Sequence, residues 1–154
     1  MAQGYGRTVA LGALRNRLTG LVWWVIDGNN VMGAGADGWW NDQVAAAVRL
    51  TQAIAEWSRT HADVVTVVFD GRPEPQLIEL AGGRLTVDFA RRRGRDAADD
   101  RIVEIVDDHF GGEPDLTVVT SDRGLAARLP PGVAVEGAGA FRSRLGLTGG
   151  GRRR

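Results

Sequence analysis

The chain contains no cysteine and no lysine, has two histidines in 154 residues, and carries no long uninterrupted apolar run. Without cysteine there are no disulfides, no thiolate nucleophiles and no thiolate metal sites. With only His61 and His109 available, a multi-histidine zinc site or a Ser-His-Asp triad is hard to assemble. A bilayer-spanning helix needs about 20 consecutive apolar residues, and no run approaches that. Polar chemistry therefore falls to carboxylates, hydroxyls, amides and arginines. The 19 basic residues are balanced by 19 acidic ones, so overall charge says little about partners. Local charge says more: Arg91, Arg92, Arg93 and Arg95 form one dense patch, and Arg152 to Arg154 close the sequence.

What is present is an ordinary globular composition, 44% apolar and 25% charged, with the length of one domain. In the first 20 residues Arg7, Arg15 and Arg17 interrupt the apolar stretch that a secretory signal needs to be continuous. Residues 1–20 are read as a cytoplasmic extension with a short helix from Val9 to Leu18. Residues 21–146 are read as the folded domain and 147–154 as a disordered basic tail.

Within the domain, VWWVI before Asp27, VVTVVF before Asp70, LTVDF at Leu85 to Phe89, and LTVVT before Ser121 and Asp122 read as buried strands. Val133 to Val135 makes a weak fifth. A loop is expected after Asp27. Helices are expected from Asn41 or Asp42 to Arg59, from Pro75 to Ala81, from Ala97 to His109, from Arg123 to Arg128 and from Ala138 to Leu145. Strands alternating with helices predict a three-layer α/β/α sandwich with a mostly parallel central sheet.

Gly33, Gly35 and Gly38 have the G-x-G-x-x-G spacing of a dinucleotide-binding turn. That reading is weak, because DGNNVM separates the first glycine from the strand end and no acidic residue closes a second strand about 20 residues later.

The acidic residues are more informative. Three strands end in aspartate, at Asp27, Asp70 and Asp122, and the carboxyl ends of parallel strands share one edge. A fourth contribution is the helix start RDAADDRIVEIV. At about 100° per residue, Asp99 falls within the apolar stripe of Ile102, Val106 and Phe110, whereas Asp100 lies toward its outer border. Each residue has an ordinary structural reading: Asp96 as a helix cap, Asp99 and Asp100 as dipole partners, Asp27 and Asp70 as turn residues, Asp122 as the cap of the next helix. A carboxylate facing inward beside others is costly unless compensated, and clustered carboxylates without histidine or cysteine suit Mg²⁺ or Mn²⁺.

Four motifs occur in order: D-G-x-N (Asp27, Gly28, Asn30), VVFDG (Asp70), D-x-x-D (Asp96, Asp99) and TSD (Asp122). Together they resemble the NYN branch of the PIN-like nucleases, and the bacterial YacP-like subgroup most closely. That family usually carries glutamate where this chain has Asp96. The resemblance implies a PIN-like sandwich and metal-dependent endoribonuclease activity. It also implies that Asp27, Asp96, Asp99 and Asp122 hold Mg²⁺ or Mn²⁺, that Asn30 orients water or phosphate, and that Asp70 sits at the rim as an outer-sphere residue. Arg91, Arg92, Arg93, Arg95, Ser121 and Arg123 are the candidate RNA contacts. RNA is the expected partner, with the ribosome or translation machinery as a further candidate; oligomeric state is not readable. Trp39 and Trp40 have two readings, a packing staple at a helix start and a stacking platform for bases. The rival from another class is a non-catalytic RNA-binding or partner-binding module on the same fold. A nucleotide-binding Rossmann-like domain stands further off.

Overall fold

The computed structural model describes residues 22–35, 38–60, 64–90, 96–109 and 115–147. The helix expected at Val9 to Leu18, the Arg91 to Arg95 patch, His61 and the terminal arginines lie outside the described residues.

Five strands form one all-parallel sheet: β1 (Val22–Asp27), β2 (Val64–Asp70), β3 (Leu85–Ala90), β4 (Asp115–Val119) and β5 (Ala134–Glu136). Their order is β3-β2-β1-β4-β5. From β1 the chain builds outward through β2 and β3, then returns to β1's other side with β4 and β5. The switch in direction lies between β1 and β4, at the carboxyl ends of the two, where open α/β sheets form their crevice.

The β-branched runs are buried because helices cover both faces. On one face, Trp24, Ile26, Val65, Val67 and Phe69 pack with α1 (Gly28–Gly33), α2 (Gln43–Thr60), α3 (Pro75–Ile78) and α6 (Ala138–Arg144). Ile54 and Phe141 are fully buried there. On the other face, Val25, Val68 and Val118 pack with Ile102, Ile105 and Val106 of α4 (Ala97–His109) and Leu125 of α5 (Arg123–Ala127). The architecture is thus the expected α/β/α sandwich. Asp42 Oδ1 accepts from the Ala45 N–H and so opens α2. Among the described residues no helix is long and apolar enough to cross a membrane.

The loop expected after Asp27 is instead a helix that starts at once: α1 covers Gly28 to Gly33. Six residues containing two glycines and two asparagines carry no readable helical period. Tertiary burial of Val31 and Met32 holds the turn in place. Gly28 is required by proximity: a Cβ there would lie 2.6 Å from the Phe69 ring and 2.9 Å from the Val68 carbonyl oxygen, both on β2. Gly28→Ala is therefore expected to lower the unfolding free energy by about 1–3 kcal/mol through overpacking. Urea denaturation measures this, and an unchanged midpoint would show that α1 can move off β2 without cost.

Candidate active site

Side chains alternate along β1, so Asp27 follows Val25 onto the face covered by α4. It is 4% exposed. Thr120, just beyond β4 and equally buried, donates its hydroxyl to Asp27 Oδ2 at 2.9 Å. The same Oγ1 accepts the Asp122 backbone N–H at 3.0 Å. Since that amide can only donate, the single hydroxyl proton is directed to Asp27, and the carboxylate is held in one orientation.

Burial is the main reason that Asp27 is pushed up to about 6 from 3.8. The charges of Asp99 and Asp70 add to it, while the Thr120 hydroxyl and the Asn30 backbone amide oppose it. Asp99 is also raised, first by burial, then by Asp122 and Asp96, against the opposing Arg128 and with a small addition from Asp70. The structure thus brings Asp27, Asp70, Asp96, Asp99 and Asp122 into one electrostatic neighbourhood. Asp100 turns to the rim, where its Oδ1 pairs with Arg128 Nη2 at 2.7 Å.

Several of these groups also have structural duties. Asp122 Oδ1 accepts the Leu125 N–H at 3.1 Å and caps α5. Asp70, exposed at the end of β2, accepts the Ala98 N–H on Oδ1 at 3.0 Å, in the first turn of α4. Asp96 is exposed, and its carbonyl accepts the Asp100 N–H. Asn30 Oδ1 accepts the Ser121 N–H at 2.7 Å, and Ser121 Oγ accepts the Ala138 N–H at the start of α6. Arg123 is exposed at the first position of α5.

Three residues at the site were missed by sequence reasoning. Thr120 looked like the last residue of a β-branched strand. Arg128 looked like the end of a short helix. Asn29 fills the unspecified position of D-G-x-N, yet its Oδ1 accepts the Asp70 N–H at 2.8 Å. The glycine spacing proves to be structural. Gly33 closes a helix instead of opening one, and a Cβ on Gly35 would meet the buried Arg142 guanidinium at 2.5 Å. Trp39 packs against the core, edge-on to an exposed Trp40.

Among the described residues, no three carboxylates or histidines stand close enough to hold a metal ion between them. A dehydrated, zinc-like cage therefore does not fit. The donors are nevertheless hard oxygens, and Asp27 and Asp99 are each raised by neighbouring carboxylates. Mg²⁺ keeps several waters and takes one or two carboxylates plus substrate phosphates, and a hydrated cation of that kind fits this donor set.

The raised Asp27 has a consequence for stability. Folding holds its proton more tightly, so its contribution is fully present below pH about 4 and is lost as pH rises through about 6. The difference corresponds to about 3 kcal/mol. Asparagine has no charge to bury and can still accept from Thr120. In metal-free buffer Asp27→Asn should therefore raise stability above pH 7 by up to about 3 kcal/mol, and change it little at pH 4. Thermal melts across that range test this, and a pH-independent difference would contradict it.

The sequence matches the YacP-like NYN domain model over residues 24–142. No curated protein matches the chain significantly. Among solved structures, the crystal structure of Rae1 (YacP) from Bacillus subtilis aligns with a TM-score of 0.60 at 23% identity, over 80% of this chain and 72% of that one. The crystal structure of a point mutant of the same protein aligns with a TM-score of 0.63 at 23% identity, over 80% and 74%. At that identity the two likenesses speak for the fold. The family model, which matches most of the sequence from β1 into α6, goes further: the chain belongs to the family of YacP-like NYN domains, nuclease-family domains built as a PIN-like α/β sandwich.

Proposed function

We propose that this chain is a metal-dependent endoribonuclease that hydrolyses RNA phosphodiester bonds at the carboxyl edge of its sheet. The observation that carries this reading is that Asp27 and Asp99, two carboxylates on different elements of this edge, are each raised by burial and by the like charges around them. An arrangement that is unfavourable without a cation marks a cation site.

Asp27, Asp96, Asp99 and Asp122 are the proposed holders of Mg²⁺ or Mn²⁺, one or two of them directly and the others through the ion's waters. When bound, the ion supplies a polarised water and neutralises charge on the scissile phosphate. Thr120 keeps Asp27 aimed and favours its ionised form. Asn30 is tied to Ser121 through its carbonyl oxygen, so its amide nitrogen is the group available to orient water or phosphate. Ser121 and Arg123, both exposed, and Arg91, Arg92, Arg93 and Arg95 are the proposed contacts for the RNA backbone. Asp70 serves the rim. The proposed setting is cytoplasmic, with RNA as partner, free or held on the translation machinery.

A second reading is a non-catalytic RNA-binding or partner-binding module. It is favoured by the engagement of one oxygen each of Asp70 and Asp122 in helix capping. Purified protein incubated with single-stranded and structured RNA separates the two. Cleavage is expected with Mn²⁺ or Mg²⁺ and should stop with EDTA. Asp99→Asn should reduce it by roughly 100-fold or more, equivalent to about 3 kcal/mol, while leaving the protein folded. Binding of RNA that stays intact under every metal tried would select the binding module.

A further inference from the structure

Asp96 and Asp99 stand at the start of α4, so the placement of that first turn decides how far both lie from Asp27. The Ala98 N–H of this turn is satisfied by Asp70 Oδ1, from the end of a different element 28 residues earlier. The Asp70 N–H is satisfied in turn by Asn29 Oδ1, across 41 residues and two positions after Asp27. Asp27 and Asp99 are thereby joined through two hydrogen bonds and a few covalent links, Asn29 to Asp70 to Ala98. The bridge runs from the central strand to the helix, along the side of the site nearest β2.

We propose that Asn29 and Asp70 are positioning residues, a two-bond bridge that sets the spacing between the carboxylate of β1 and those of α4. This rests on the metal-dependent reading of the site. Asp70 acts here through its acceptor oxygen, Oδ1, which receives the Ala98 N–H at 3.0 Å. Asn29 contributes an oxygen that no backbone carbonyl of β1 can supply, because the chain has already left the sheet for α1.

The test uses the full chain with Asn29→Ala, Asp70→Asn, Asp70→Ala and the Asn29→Ala/Asp70→Ala double variant. Two quantities are read: hydrogen exchange at the Ala98 amide by NMR, and Mn²⁺ affinity by calorimetry. Asn29→Ala should speed exchange at Ala98 by about tenfold although Asn29 makes no bond to it, and should weaken Mn²⁺ binding severalfold. Asp70→Ala should weaken it by about tenfold or more, the usual scale for outer-sphere partners. Asp70→Asn keeps an acceptor and should stay within about threefold. The double variant should match Asp70→Ala alone, because both residues act on one path. Unchanged Ala98 exchange in Asn29→Ala would overturn the bridge, as would equal damage from Asp70→Asn and Asp70→Ala, which would mean that charge matters and the acceptor does not. A wild-type chain that binds no Mn²⁺ would defeat the metal-dependent reading on its own, and Ala98 exchange would still decide the bridge.

Discussion

The burial of one carboxylate, Asp27, constrains everything at the carboxyl edge of this sheet. It ends the central strand, with β2 hydrogen-bonded on one side and β4 on the other, so it cannot move to solvent without disrupting the ladder. At 4% exposure it has lost most of its hydration, and the replacements are few: one hydroxyl proton from Thr120 and the backbone amide of Asn30 in α1. These oppose the cost of burial without cancelling it, which is why Asp27 remains raised. Removing one more stabilising neighbour from such a group costs more than the bond itself, because the charge stays buried.

The two asparagines after Asp27 follow from the same geometry. At Gly28 the chain leaves the sheet for α1, while its neighbours run on, β2 to Asp70 and the β4 segment to Ser121. Amides at those ends face a place where β1 no longer offers carbonyls. Asn29 turns its side-chain carbonyl to the Asp70 N–H, and Asn30 turns its own to the Ser121 N–H. Adjacent side chains reaching opposite ways thus extend the ladder by one rung on each side after the backbone has gone. Ser121 passes the connection to Ala138 and α6, and Asp70 passes it to Ala98 and α4.

How much of this could be read in the sequence depended on whether the signal was local. VVTVVF and LTVVT announce strands because burial on both faces demands apolar, β-branched residues at every position. The aspartate that ends β2, and the stripe that sets Asp99 inward, followed from the same patterns, whereas β4 stops at Val119 and Asp122 lies beyond it as the cap of α5. By contrast, α1 is too short to show a period and exists because Val31 and Met32 have a core to enter. The D-G-x-N spacing drew attention to Asn30 and away from Asn29, since a motif records which positions are specified and not what the other positions touch. Thr120 was in view inside TSD, but its hydroxyl has meaning only once β4 lies beside β1, 93 residues away in sequence. The Asp70 and Asp122 caps are alike in kind and unlike in legibility: Asp122 caps the helix that follows it, which was an open reading, while Asp70 serves a helix 28 residues on.

The remaining question is how one edge tolerates so much negative charge. The helices supply part of the answer by their direction. α1, α4, α5 and α6 all begin close to this edge, at Gly28, Ala97, Arg123 and Ala138, so the positive ends of four peptide dipoles point toward it. Two of those ends are neutralised by carboxylates that belong to the cluster, Asp70 on α4 and Asp122 on α5. The acids therefore divide into two sorts. Asp70 and Asp122 each have an oxygen on a helix end, where a negative charge is favourable. Asp27 and Asp99 carry the shortfall and are raised. The scaffold accommodates the first pair and tolerates the second, as expected where stability is given up for a site that needs uncompensated charge. The same helix ends favour phosphate as well as carboxylate, so under the proposed metal-dependent reading a cation that offset Asp27 and Asp99 would turn an edge that repels an anion into one that accepts it.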